Sequence, residues 1–196
     1  MTTENNNLER EEAVVVALKA TFPDLTARVK RIRRVEASVS KALTPSVLVH
    51  AKNVLGYKAL SHISCVDWIE DEHFELVYIL WNPDEKIQLL IKTLISRENA
   101  TMENIDTIWR QANTYQREMR EMFGIEFPGF VGAKEFLLED WDDMPPMRRD
   151  FDTKEFVKEA FFLRPGREDA KDVRDTIAKR SKEEIPEFAK KYSREK

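Results

Sequence analysis

The pattern of apolar and polar positions is clearest in the middle of the chain. Phe74 to Trp81 (FELVYILW) and Ile87 to Ile95 (IQLLIKTLI) are rich in β-branched, aromatic and long apolar residues. Asn82-Pro83-Asp84-Glu85 between them has the composition of a turn, so the two runs predict a β-hairpin. Ser61 to Trp68 (SHISCVDW) reads as the strand before it, with Ile69 to His73 as the connecting loop. Upstream, Arg28 to Val39 (RVKRIRRVEASV) alternates in part and predicts one strand with a wet face.

Helical spacing appears in three places. Ala13, Val14, Ala17 and Leu18 predict a short helix ending near Phe22-Pro23. Val47, Leu48, Ala51 and Leu55 form an apolar stripe, with Thr44-Pro45 as a helix start and Gly56 as its stop. Ile105, Ile108, Trp109, Ala112, Tyr115, Met119 and Met122 extend the same period from Thr101 to a C-cap at Gly124. After that the period fades. Pro128, Pro145 and Pro146 with Phe127, Phe130, Phe136, Trp141 and Phe151 describe an extended segment carrying apolar side chains, of the kind that lies across another protein.

These elements predict an α+β fold: a two-layer domain of a mixed sheet with helices packed on it, plus an extended C-terminal arm. The expected division is a disordered leader over 1–10, the α+β domain over 11–127, an extended partner-contacting segment over 128–165 and a charged tail over 166–196. With 196 residues, 42% of them hydrophobic, the chain supports one ordinary core rather than two full domains. No apolar run approaches the roughly 20 residues that cross a bilayer, and the polar, acidic start differs from a signal peptide.

Charge and rare residues narrow the chemistry. Cys65 is the only cysteine, so the chain alone supplies no disulfide, no CxxC pair and no thiolate set for an iron–sulfur cluster. His62, Cys65, Asp67 and His73 fit no common zinc spacing, and a lone strand cysteine is usually a small buried hydrophobe. Arg28, Lys30, Arg31, Arg33 and Arg34 could track phosphates, which raises the alternative of a nucleic-acid-binding protein using the 28–34 strand. The net charge of -4 and the lack of a stacking platform favour a solvated edge strand and no nucleic acid.

The string Ala112-Asn113-Thr114-Tyr115-Gln116-Arg117-Glu118-Met119-Arg120-Glu121-Met122-Phe123-Gly124-Ile125 resembles the signature of the 30 kDa subunit, also called the C subunit, of NADH-quinone oxidoreductase (respiratory complex I). In that signature an aromatic residue and E-R-E precede F-G-I; here Gln116 stands for the first Glu, and Arg120 for a residue that is usually apolar or aromatic. Phe136-Leu137-Leu138-Glu139-Asp140-Trp141 resembles the family's I-L-L-P-D-D-W, and Pro146-Met147-Arg148-Arg149-Asp150-Phe151 resembles P-L-R-K-D-Y. Upstream, Cys65 to Trp68 and Phe74 to Tyr78 resemble its acidic-aromatic turn and F-E-L-V-Y strand.

The resemblance implies a non-catalytic subunit that holds no cofactor. Iron–sulfur clusters, with nickel–iron or quinone in some complexes, would belong to partner subunits. The implied partners are a large subunit homologous to the [NiFe]-hydrogenase large chain and iron–sulfur subunits, in a hetero-oligomeric complex peripheral to the cytoplasmic side of the cell membrane. The equivalent subunit of a membrane-bound [NiFe]-hydrogenase, a ferredoxin-dependent sulfur reductase or a cofactor F420 dehydrogenase stands beside complex I. Arg117, Glu118, Asp140, Trp141, Arg148, Arg149 and Asp150 are the expected partner interface; no catalytic or metal-binding residue is expected.

Overall fold

A computed structural model describes residues 8–129, 135–139 and 141–160, the last three by backbone alone. The order of elements is α1 (Glu9–Thr21), β1 (Thr26–Arg31), β2 (Arg34–Ser38), α2 (Thr44–Asn53), β3 (Ala59–Trp68), a 3-10 turn (Ile69–Asp71), β4 (His73–Asn82), β5 (Ile87–Ser96), α3 (Ala112–Phe123) and α4 (Thr153–Ala160). The chain forms two compact units, one through Phe151 and one from Asp152. Within the second, Asp152 accepts from the backbone N–H groups of Lys154 and Glu155, capping α4.

The five strands lie in the order β1-β2-β5-β4-β3, with β2 and β5 parallel and every other pair antiparallel. The predicted mixed sheet with helices packed on it is therefore the observed fold. Alternation sorts the side chains: Phe74, Leu76, Tyr78 and Leu80 of β4 lie opposite Ile95, Thr93, Ile91 and Leu89 of β5, all buried. Leu18 of α1, Val47, Leu48 and Ala51 of α2, and Met119, Met122 and Phe123 of α3 join them in one core. On the other sheet face Glu36 meets Arg28 at 3.1 Å, Lys30 at 2.8 Å and Lys92 at 3.6 Å. The hydrogen bond from Lys30 leads these in holding its carboxyl at about 2.

Four expectations change. The run from Arg28 to Val39 is a hairpin, not one strand, because the chain reverses at Ile32-Arg33, where Arg33 adopts φ 59°. Glu11 accepts the Arg33 backbone N–H at 2.6 Å and fixes that turn. The third helix begins at Ala112 rather than Thr101. Thr101 instead forms a bridge with Glu126, and residues 104–111 run through turns: Asn104 accepts the backbone N–H of Asp106, and Ile105 that of Ile108. Thr44 opens α2 without capping it, its hydroxyl donating back to the Ser40 carbonyl at 2.9 Å. Finally, the 128–165 stretch is not extended throughout, since α4 lies inside it. The tail over 166–196 lies outside the described residues.

The segment leading into α3 serves another purpose. β3 is an edge strand, and Trp109 Nε1 donates to the Lys58 carbonyl at 2.9 Å, Gln111 to that of Leu60, and Tyr115 Oη to that of Ser61 at 2.8 Å. Side chains thus occupy acceptors that a sixth strand would use.

Candidate functional site

The signature string folds as α3, which ends where Gly124 takes φ 76°. A Cβ at Gly124 would also lie 3.2 Å from Pro145 Cγ, so the glycine both turns the chain and admits the later segment. Gln116 is wholly buried, with neither amide atom hydrogen-bonded among the described residues. A neutral amide at a position where the signature has Glu avoids burying a carboxylate. Arg120 is exposed and pairs with Glu126 at 3.3 Å, which explains why a charge is tolerated there.

Arg117 and Glu121, one turn apart, face the strip at 135–138. Arg117 donates to the Glu135 carbonyl and its guanidinium lies 5.8 Å from the Phe136 ring centroid. The Glu121 carboxylate accepts backbone N–H bonds from Phe136 at 2.6 Å and from Leu137 and Leu138 at 2.8 Å each. Burial pushes its pKa up, and the three N–H bonds with Arg117 outweigh this and hold it below the usual range. Beside these groups a cleft of about 330 Å³ opens between Arg117, Arg120, Glu121, Trp141 and Pro145.

The later string returns to the sheet. The Met147 backbone N–H donates to the Met122 carbonyl at 3.0 Å. The Arg149 N–H donates to Asp67 Oδ2 at 2.9 Å, and the Arg149 guanidinium pairs with Glu70 at 2.6 Å. Asp67, with a side chain only 2% exposed, also holds Arg97, whose Nε lies 2.8 Å from Oδ1 and whose Nη2 donates to Oδ2 at 3.1 Å. Arg97 meets Asp150 at 2.9 Å, and Arg148 meets the same carboxylate at 3.2 Å. Burial raises the Asp150 pKa, yet Arg148 and Arg97 together hold it low. Both Arg97 and Arg148 place their guanidinium groups over the Phe74 ring, at 5.4 and 5.7 Å, and Phe74 packs edge-on against Phe123 of α3. Phe74 thereby joins the two halves of the signature.

Residues 37–157 match the family model described as respiratory-chain NADH dehydrogenase, 30 Kd subunit. The chain belongs to this family. Among relatives of the family, the C subunit of NADH-quinone oxidoreductase from Moorella thermoacetica is 28% identical over 68% of this chain and 90% of its own. The C subunit of F(420)H(2) dehydrogenase from Methanosarcina mazei is 28% identical, covering 71% of this chain and 90% of its own. In a Hydrogenobaculum relative, 28% identical over 74% of this chain, the matched part is 25% of a longer C/D subunit of NADH-quinone oxidoreductase. A chain from the structure of a membrane-bound sulfane sulfur reductase, an archaeal respiratory membrane complex, superposes with a TM-score of 0.72 at 27% identity, covering 79% of this chain and 94% of that one.

Of the expected interface residues, the fold brings Arg148, Arg149 and Asp150 into one internal network at the end of the sheet, and Arg117 into another on α3. Trp141 lies half-buried against Phe151, ring centroids 5.8 Å apart, and donates to the Asp143 and Met144 carbonyls. Glu118 is half-buried and has no hydrogen bond or ion pair with a described residue. Asp140 and Phe130 lie outside the described residues. Arg97 and Glu121 went unmarked by sequence reasoning. The i, i+4 spacing of Arg117 and Glu121 was a readable signal; the partners of Arg97, 30 and 53 residues away, left none.

The competing metal reading gains no geometric support. Among the described residues no three His, Cys, Asp or Glu side chains are grouped to hold an ion. Burial pushes the Cys65 thiol up to about 12, so it stays protonated and is a poor nucleophile. His62 instead packs edge-on to Tyr115, ring centroids 5.0 Å apart.

Proposed function

We propose that this chain is a cofactor-free peripheral-arm subunit of a membrane-bound redox complex, and that it works by position. It holds a large subunit homologous to the [NiFe]-hydrogenase large chain and neighbouring iron–sulfur subunits in register, so that distances between clusters stay fixed as electrons pass. The observation that carries this reading is the family match over 37–157, which spans most of the sheet, α3 and the returning strip. The fused C/D relative supports the large subunit as the neighbour. Among the described residues no helix is long and apolar enough to cross a membrane, which fits attachment through partners.

The partner face in this reading contains Arg117, Glu118, Asp140, Trp141, Arg148, Arg149 and Asp150. The ion pairs at 148–150 and the Glu121 hydrogen bonds to 136–138 hold these two stretches in place before assembly, so little ordering entropy is lost there on docking. Glu118, without a hydrogen bond or ion pair to a described residue, is left to meet a donor on the neighbour.

Affinity purification from native membranes, with subunit identification and iron, nickel and flavin analysis, tests the reading. Co-purification with a hydrogenase-like large chain and iron–sulfur proteins is the expected result, and nickel would indicate the hydrogenase type. Arg149→Ala, at a half-exposed side chain, should weaken that co-purification while changing the isolated domain's stability little. Recovery of the chain without redox partners would overturn the assignment.

A further inference from the structure

The β1–β2 turn carries a charge arrangement that the fold does not use. Arg31, Ile32, Arg33 and Arg34, with Trp81 of β4 and Gln88 of β5, line a concavity of about 340 Å³ that contains no carboxylate. None of the three guanidinium groups makes a hydrogen bond or ion pair with a described residue. Three acids of the adjoining elements are engaged elsewhere: Glu36 takes Arg28 and Lys30, Glu85 takes Arg10, and Glu11 takes the Arg33 backbone N–H. The turn is also fixed from both sides, by Glu11 of α1 and by the Gln88 backbone N–H donating to the Arg33 carbonyl at 2.9 Å.

A chain with more acidic than basic residues has thus gathered, on one rigid turn, three guanidiniums that are unpaired among the described residues, beside an indole and an isoleucine that is 48% exposed. Guanidinium groups bind carboxylates in two-point fashion, and the apolar pair suits an aliphatic side chain carried between those carboxylates. We propose that this turn is a second docking point, which receives an acidic segment of a partner protein containing two or more carboxylates around an apolar residue.

A single concavity of about 340 Å³ takes the few side chains of one short segment. Nucleic acid would call for a longer basic track and several stacking surfaces, and a bilayer surface would call for cations spread over a plane. The proposal rests on the reading that the chain works within a hetero-oligomeric complex, and it places a contact at the opposite end of the sheet from the Asp67–Arg97–Asp150 network.

The test places a photoreactive amino acid at position 32 of the full chain and irradiates the purified complex, with mass spectrometry of the adducts. The expected product is a cross-link to an acid-rich segment of a co-purifying subunit. Its yield should fall about tenfold when Arg31→Gln, Arg33→Gln and Arg34→Gln are combined, as expected when close charge pairs across an interface are lost. Circular dichroism and the melting temperature of the triple variant separate this effect from misfolding, and the single variant Arg33→Gln provides a milder version. Cross-links to lipid or nucleic acid, no protein adduct, or an adduct indifferent to the arginines would each overturn the proposal while leaving the scaffold reading intact. Absence of any complex would remove both.

Discussion

Where β3 stops and β4 begins, Asp67, Arg97, Arg148 and Asp150 neutralise one another around Phe74; roughly 23 Å along β4, three guanidinium groups share a concavity with no carboxylate. The contrast follows from solvation. Asp67 is almost wholly withdrawn from water, so its charge must be met inside the molecule. Arg31 and Arg33 of the turn are exposed and Arg34 is half-exposed, so the fold tolerates them without a partner among the described residues at little cost. Charges of the first kind explain how the domain stays together. Charges of the second kind contribute little to the fold and point outward to a partner.

The largest effect that would break this comparison comes from Asp67→Ala. Removing the nearly buried Asp67 leaves Arg97 to share Asp150 with Arg148 and the Arg149 backbone N–H without its acceptor; this should cost about 3–5 kcal/mol, read by urea denaturation, and limited proteolysis should find the strip at 145–151 loosened. A loss below about 1 kcal/mol, the ceiling for an ordinary exposed pair, would mean that the network is no more than a surface ion pair.

A smaller effect concerns Glu36, another internally paired acid. Its folded pKa of about 2 lies below the usual 4.5, so its contribution is complete above 4.5 and is lost as pH falls through about 2. The stability gap between the native chain and Glu36→Gln should therefore be constant near neutrality and close across that acid window. A gap that persists at pH 2 would contradict the pairing.

The smallest effect is expected at the turn. Combining Arg31→Gln, Arg33→Gln and Arg34→Gln should change unfolding free energy by less than about 0.5 kcal/mol, or raise it slightly as repulsion is relieved. A clear destabilisation would show that the arginines serve the fold and would erase the distinction between the two ends.

What the sequence made legible depended on whether a local signal existed. The β4–β5 hairpin was readable because two apolar runs flank Asn82-Pro83, and the end of α3 because Gly124 supplies a left-handed stop. The β1–β2 reversal was not, since Ile32-Arg33 lacks the glycine, asparagine or proline that usually marks one; its conformation is imposed by Glu11, 22 residues earlier. The start of α3 was misread because Ile105, Ile108 and Trp109 repeat at helical spacing while packing from consecutive turns. At the site, the strings around Arg117 and Arg148 stood out by resemblance, but their use inside the chain depends on Asp67, Arg97 and Glu121, whose contacts are set only by the tertiary fold.

The occupied carbonyls along β3 bear on the time before assembly. A subunit translated apart from its neighbours spends an interval alone in a crowded cell, where an open strand margin invites copies of itself to stack into fibrous aggregates. Here Trp109, Gln111 and Tyr115 close one margin, while Arg28, Lys30 and Arg31 place repelling charges on the other. The waiting subunit is thus kept from polymerising with itself by side chains already in place before any partner arrives.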